Sequence, residues 1–68
     1  MKKVKISTEF IKLDQFIKLC GEADQGSDAK EMVLAGGITV NGEQEIRRGR
    51  KLRPGDTVKV KGNEYIIE

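Results

Sequence analysis

The chain predicts an α+β fold in which two short helices pack on one face of a small, mostly antiparallel sheet, and three observations carry that expectation. Apolar residues alternate near the N-terminus, recur at helical spacing between Leu13 and Val33, and alternate again to the end. Glycine-containing pairs stand where the period changes. The length of 68 residues, 37% of them hydrophobic and 35% charged, suits one modest core, so residues 1–68 are expected to form a single domain.

The elements follow in order. Val4 and Ile6 alternate with Lys3, Lys5 and Ser7, the pattern of an edge strand with one buried face. From Lys12 the period changes: Leu13, Phe16, Ile17 and Cys20 form one helical stripe that Gly21 closes, while Lys12, Gln15 and Lys18 face outward. After a polar link from Glu22 to Gly26, Ser27 or Asp28 is expected to cap a second short helix. Its residues Ala29, Met32 and Val33 point inward until Gly36-Gly37 ends it. Ile38 and Val40 flank Thr39 in a strand, and Asn41-Gly42 is the dipeptide that most readily takes the positive φ angles of a tight hairpin. Pro54-Gly55-Asp56 reads as a turn, Val58 and Val60 alternate with Lys59 and Lys61, Gly62-Asn63 is expected to turn again, and Tyr65 to Ile67 completes the last hairpin. Phe10 and Phe16 are both assigned to the core.

Composition then removes several function classes. With no histidine and one cysteine, the chain offers no disulfide, no zinc set and no base poised near neutral pH, so no catalytic residues, no metal and no cofactor are expected. Cys20 lies on the apolar stripe and reads as a small core residue. The carboxylates are scattered, and the glycines fall at helix ends and turns rather than at phosphate-cradling spacings, which argues against an enzyme or a small-molecule substrate. No apolar run approaches the roughly 20 residues of a membrane span, and MKKVKIST is too polar for a signal peptide, so a cytoplasmic location without membrane contact is expected.

Charge distribution is the informative feature. The net charge is only +2, yet five acids and two lysines occupy Asp14 to Glu31, whereas Arg47, Arg48, Arg50, Lys51 and Arg53 crowd into seven positions with no acid among them. A solvated loop is the ordinary explanation of such a run. Arginine predominates, however, and its planar guanidinium grips phosphate oxygens bidentately. With no spare aromatic side chains for stacking, phosphate and shape recognition of structured RNA fits this surface better than single-strand binding. Arg47, Arg48, Arg50 and Lys51 lie on no apolar stripe, so their reversal to glutamate is expected to leave the fold intact. Arg53, next to Pro54, suits a turn residue covering the sheet edge equally well.

The segments IKLDQFIKL, Ala29-Lys30 with Gly36, ITVNGE and RPGDTVKV, from about Phe10 to Val60, together resemble the alpha-L (S-four-type) RNA-binding domain. FIKLDQFIKL narrows the resemblance to small stand-alone bacterial versions associated with ribosome maturation. The resemblance implies two helices forming an L-shaped RNA-facing surface against a small, strongly bent sheet. It also implies a non-catalytic protein contacting ribosomal RNA during large-subunit assembly. Lys12 stands where the family commonly has arginine before its Leu-Asp pair, and Lys30 matches a basic position of the second helix. Both are thereby phosphate-contact candidates beside Arg47, Arg48, Arg50 and Lys51, while Asn41 and Gly42 match the family's turn and receive a structural role. Gly26 departs from the family pattern, in which many members carry an arginine, so the contact falls to Lys30 and the 47–53 cluster.

A monomer is expected, with RNA as its partner. Two alternatives remain open from sequence: an adaptor whose arginines meet an acidic protein, and a ubiquitin-like carrier. The second is disfavoured because the chain ends Ile66-Ile67-Glu68 rather than Gly-Gly.

Overall fold

The computed structural model describes residues 1–68. Nine elements follow one another: β1 (Lys2–Val4), β2 (Ile11–Lys12), α1 (Leu13–Leu19), α2 (Gly26–Leu34), β3 (Ile38–Val40), β4 (Glu43–Gln44), β5 (Lys51–Leu52), β6 (Thr57–Val60) and β7 (Asn63–Ile67). Five strands form a mixed, mostly antiparallel sheet in the order β1-β7-β6-β3-β4, in which only the β1–β7 pair is parallel. The short strands β2 and β5 form a separate antiparallel ladder. The architecture is the α+β arrangement that the alternating periods imply.

Each helix ends where its glycine directs. Gly21 has φ +84°, and around it the Glu22 N–H donates to the Ile17 carbonyl and the Gly21 N–H to the Lys18 carbonyl, both at 3.1 Å, a Schellman termination. Gly36, also at φ +84°, closes α2. The start of α2 differs from expectation: the helix begins at Gly26 with Gln25 as its N-cap and no side-chain cap, so neither Ser27 nor Asp28 plays that part. Both lie inside the first turn, where the acidic Asp28 still complements the helix dipole.

Two hairpins use the same turn chemistry. Asn41 (φ 52°) and Gly42 (φ 84°) join β3 to β4, and Lys61 (φ 50°) and Gly62 (φ 82°) join β6 to β7. Two consecutive positive φ angles define the tight turn whose twist matches paired strands. The second turn lies one residue earlier than Gly62-Asn63, because Asn63 pairs with Val60 in the ladder. Between Arg53 and Asp56 the chain reverses around Pro54-Gly55, with Gly55 at φ 98°, the Asp56 N–H donating to the Arg53 carbonyl at 3.0 Å, and the Arg53 N–H donating to Asp56 Oδ2 at 2.8 Å.

The core is a single cluster: Leu13, Phe16 and Ile17 of α1, Ala29 and Val33 of α2, and Ile38, Val40, Leu52, Val58, Val60, Tyr65 and Ile67 from the strands. Phe16 meets Tyr65 edge to face, with ring centroids 5.7 Å apart and an 83° interplanar angle. Phe10 is not part of this core. It is half-buried, just ahead of β2, and lies beneath cationic side chains. Its assignment fails because it precedes the helical stripe rather than continuing it. No helix is long and apolar enough to cross a membrane.

Candidate nucleic-acid interface

The basic loop is fastened to the start of α1. Strand β5 pairs with β2 in the register Ile11↔Leu52 and Lys12↔Lys51. Beyond that ladder the loop's own carbonyls cap the helix: the Leu13 N–H donates to the Arg50 carbonyl at 2.9 Å and the Asp14 N–H to the Arg48 carbonyl at 3.0 Å. Helix N–H groups without intrahelical partners require such acceptors, and here residues 48–50 supply them from a distant part of the sequence. Lys12, the N-cap of α1, makes no side-chain cap bond and stands opposite Lys51 in the ladder.

Inside the loop lies an acid that the charge count from Arg47 to Arg53 passes over. Glu45 is buried, at 5% exposure, and is the only charged residue in the buried set. Its Oε2 accepts from the backbone N–H groups of Ile46 and Arg47 and from Arg47 Nε, each at 3.1 Å. Its Oε1 accepts from an Arg47 terminal nitrogen at 3.2 Å and an Arg50 terminal nitrogen at 2.9 Å. These bonds, Arg47 foremost and then Arg50, hold the carboxyl at about 2, far below its ordinary 4.5. Reciprocally, Glu45 raises the Arg47 guanidinium above its ordinary value. The signal was available in the sequence as an acid two residues before Arg47, but nothing in its spacing marked it as buried.

This pairing corrects one expectation. Reversing Arg47 and Arg50 along with Arg48 and Lys51 would leave a buried carboxylate facing like charges, and stranding a buried charge is strongly destabilising. Lying off the apolar stripes does not make those two arginines independent of the fold.

The six candidate residues therefore fall into three groups. Arg47 and Arg50 are ion-paired to Glu45, although the Arg47 side chain is still 75% exposed. Arg48, Lys51 and Lys12 are exposed without a carboxylate partner, on the segments joined at the start of α1. Lys30 is exposed on α2, the helix packed against α1, and no hydrogen bond or ion pair ties it to the loop. Lys18 is likewise an exposed residue of α1. Arg47, Gly49, Arg50 and Lys51 together line an open concavity.

The aromatic content of this surface is confined to Phe10. Lys51 Nζ lies 4.8 Å from its ring centroid and the Arg53 guanidinium 6.0 Å away, so both cations rest over an apolar face. Arg53 thus joins a turn to this aromatic support.

Elsewhere the polar groups are structural. Asn41 Oδ1 accepts from the Thr57 N–H at 3.0 Å and Asn41 Nδ2 donates to Asp56 Oδ1 at 3.2 Å, which ties the β3–β4 turn to the Pro54-Gly55 turn. Glu22, placed by the Schellman turn, accepts from the Tyr65 hydroxyl at 2.7 Å and from Asn63 Nδ2 at 2.8 Å, and these bonds lower its carboxyl pKa. The half-buried Cys20 thiol donates to the Ile17 carbonyl at 3.4 Å, and burial raises its pKa, the opposite of what a nucleophile needs.

Comparison with known proteins agrees with the motif reading. The S4 domain family matches the chain over residues 4–68. A Bacillus subtilis (strain 168) protein named "Probable ribosome maturation protein RlbA" is 42% identical over 59 residues, covering 87% of this chain and 83% of that one. The crystal structure of the 30S ribosomal protein S4e from Thermoplasma acidophilum matches with a TM-score of 0.67 at 16% identity over 88% of this chain. The chain spans 32% of that protein's length, so this likeness is one of fold. With a family match that runs from β1 to the last residue and a curated relative matched over most of its length, the protein belongs to the S4 domain family.

Proposed function

We propose that the protein is a non-catalytic RNA-binding protein of ribosome maturation. In this reading it contacts structured ribosomal RNA during large-subunit assembly through Lys12, Arg47, Arg48, Arg50 and Lys51, with Lys30 on the neighbouring helix. It works as a cytoplasmic monomer and needs no cofactor. One observation carries the reading: a loop with five cations is stitched by its backbone to the N-terminal end of α1 and is countered by a single buried carboxylate. Clustering like charges costs repulsion, and an anionic partner returns that energy on binding. The name of the Bacillus relative supports the ribosomal setting.

Structured RNA is favoured over single strands because Phe16 and Tyr65 are buried and Phe10 already carries cations on its ring, leaving no free platform on which bases stack. Phosphates and the shape of a folded RNA remain for arginine and lysine to recognise. The absence of histidine and the raised Cys20 thiol support a role without chemistry.

Sedimentation of a cell lysate tests the reading. The protein is expected to travel with ribosomal particles at low salt, to be released by high salt, and to purify with absorbance near 260 nm that nuclease removes. A protein that stays at the top of the gradient, nucleic-acid-free and bound to an acidic protein, contradicts it.

A further inference from the structure

Glu45 is a buried acid set within the basic loop, so simple electrostatics makes it an obstacle to an anionic ligand. Its contacts argue the opposite. All five of its side-chain hydrogen bonds come from residues 46–50, two from the backbone and three from guanidinium groups. The segment between β4 and β5 has little ladder pairing of its own; the Glu45 N–H donates to the Ile38 carbonyl and the Arg50 N–H to the Arg47 carbonyl. What fixes the course of this loop is therefore a carboxylate at its root and two helix N–H groups at its far side. Glu45 uses the Arg47 fork and one Arg50 nitrogen, so each arginine retains N–H groups for another acceptor. Those arginines, with Gly49 and Lys51, wall the open concavity, and a side chain on Gly49 would meet nothing within 4 Å.

We propose that Glu45 is a positioning residue for RNA binding, holding Arg47 and Arg50 so that the 47–51 loop presents a preformed seat for a backbone phosphate, and that this gain outweighs the repulsion from its own charge. The proposal rests on the RNA-binding reading above. Long arginine side chains lose rotamer freedom when they engage a ligand, and an anchor that removes that freedom beforehand strengthens binding without adding a contact. The two possible roles of Glu45 predict opposite signs. An acid that only opposes phosphate lowers affinity, and its neutralisation tightens binding; an acid that positions the loop raises affinity, and its neutralisation weakens binding although the protein becomes more positive.

Titration of a labelled RNA hairpin with wild-type protein and with Glu45→Gln, below the melting midpoints of both, separates these. The expected result is a loss of about tenfold in affinity with the salt slope unchanged. Equal or tighter binding by Glu45→Gln overturns the proposal. If Glu45→Gln does not fold, Arg47→Lys takes its place, since it keeps the charge but not the fork; a several-fold loss is expected and unchanged affinity overturns the idea. The Arg47 Nε–H resonance of the free protein gives a reading independent of RNA: a slowly exchanging signal is expected in the wild type, and rapid exchange there overturns the anchoring. A wild-type protein that retains that signal yet binds no hairpin overturns the RNA reading, and the two failures are thereby distinguished.

Discussion

Lys12 and Lys51 stand directly opposite each other across the two-residue β2–β5 ladder, both exposed and neither paired with an acid. Like charges at facing positions of an antiparallel pair destabilise it. The ladder also brings the basic loop to α1, so the repulsion sits at the joint on which the proposed interface depends. Lys12→Gln is expected to raise the thermal midpoint slightly while weakening RNA binding several-fold. Lys51 serves this test less well, because its ammonium also lies over Phe10. A Lys12→Gln variant that gains stability and binds as tightly as before would show that the pair has no part in recognition.

Phe16 is the largest fully buried side chain and packs edge to face on Tyr65. Phe16→Ala is expected to cost on the order of 3–5 kcal/mol, much of the stability available to a domain this small. Denaturant unfolding measures it, and an unchanged midpoint would contradict the core as described.

Gly42 tests the turn. A Cβ there would meet nothing within 4 Å, so the φ of +84° alone makes a side chain costly. Gly42→Val should destabilise the fold by about 1–2 kcal/mol or more through backbone strain, without removing an RNA contact. A fully stable Gly42→Val that has lost RNA affinity would move the turn into the binding surface.

Acid and alkaline stability should follow two carboxylates and one phenol. Glu45 titrates at about 2 in the fold against an ordinary 4.5, so it contributes stability that is complete above about pH 4.5 and is lost as the pH falls towards 2. Glu22 is also lowered, by its bonds from Tyr65 and Asn63, and its contribution is likewise lost on acidification below its ordinary value. Tyr65 is raised, chiefly because its hydroxyl donates to Glu22, so its contribution is complete below about pH 10 and is lost as the pH rises above that. Melting midpoints from pH 2 to pH 7 should fall steeply at the acid end for the wild type and more shallowly for Glu45→Gln. Parallel curves would contradict the ion pairs.

The helices and hairpins were legible because local rules decide them. Leu13, Phe16 and Ile17 share a helical stripe, Gly21 and Gly36 take the positive φ that ends each helix, and Asn41-Gly42 admits one turn type. The Gly62 hairpin turns one residue earlier than its sequence suggests, because Lys61 adopts a left-handed φ of 50° that its side chain does not advertise. The candidate interface was legible in charge but not in partnership. Arg47, Arg48, Arg50 and Lys51 announce a cationic loop, whereas Glu45 meets two of them only once the loop has folded. The position of Phe10 under Lys51 likewise depends on the β2–β5 ladder, a long-range pairing of two-residue strands too short to show a period. Lys30 remains on α2 without a contact joining it to the loop, so its part in the interface rests on the family resemblance.

The central claim, RNA recognition by the basic loop, is tested most directly by the salt dependence of binding with and without two cations of the loop that pair with no carboxylate. The wild-type protein should bind a structured ribosomal RNA fragment with a log–log salt slope near −3, as about four phosphate contacts give at roughly −0.7 to −0.9 per contact. Arg48→Glu/Lys51→Glu leaves both partners of Glu45 in place, so the protein should stay folded, bind far more weakly and show a shallower slope. Lys59→Glu/Lys61→Glu, on and beside the final hairpin, should change affinity much less. Undiminished affinity and slope in the Arg48→Glu/Lys51→Glu protein would contradict the account and return the arginine loop to the role of a solvated surface.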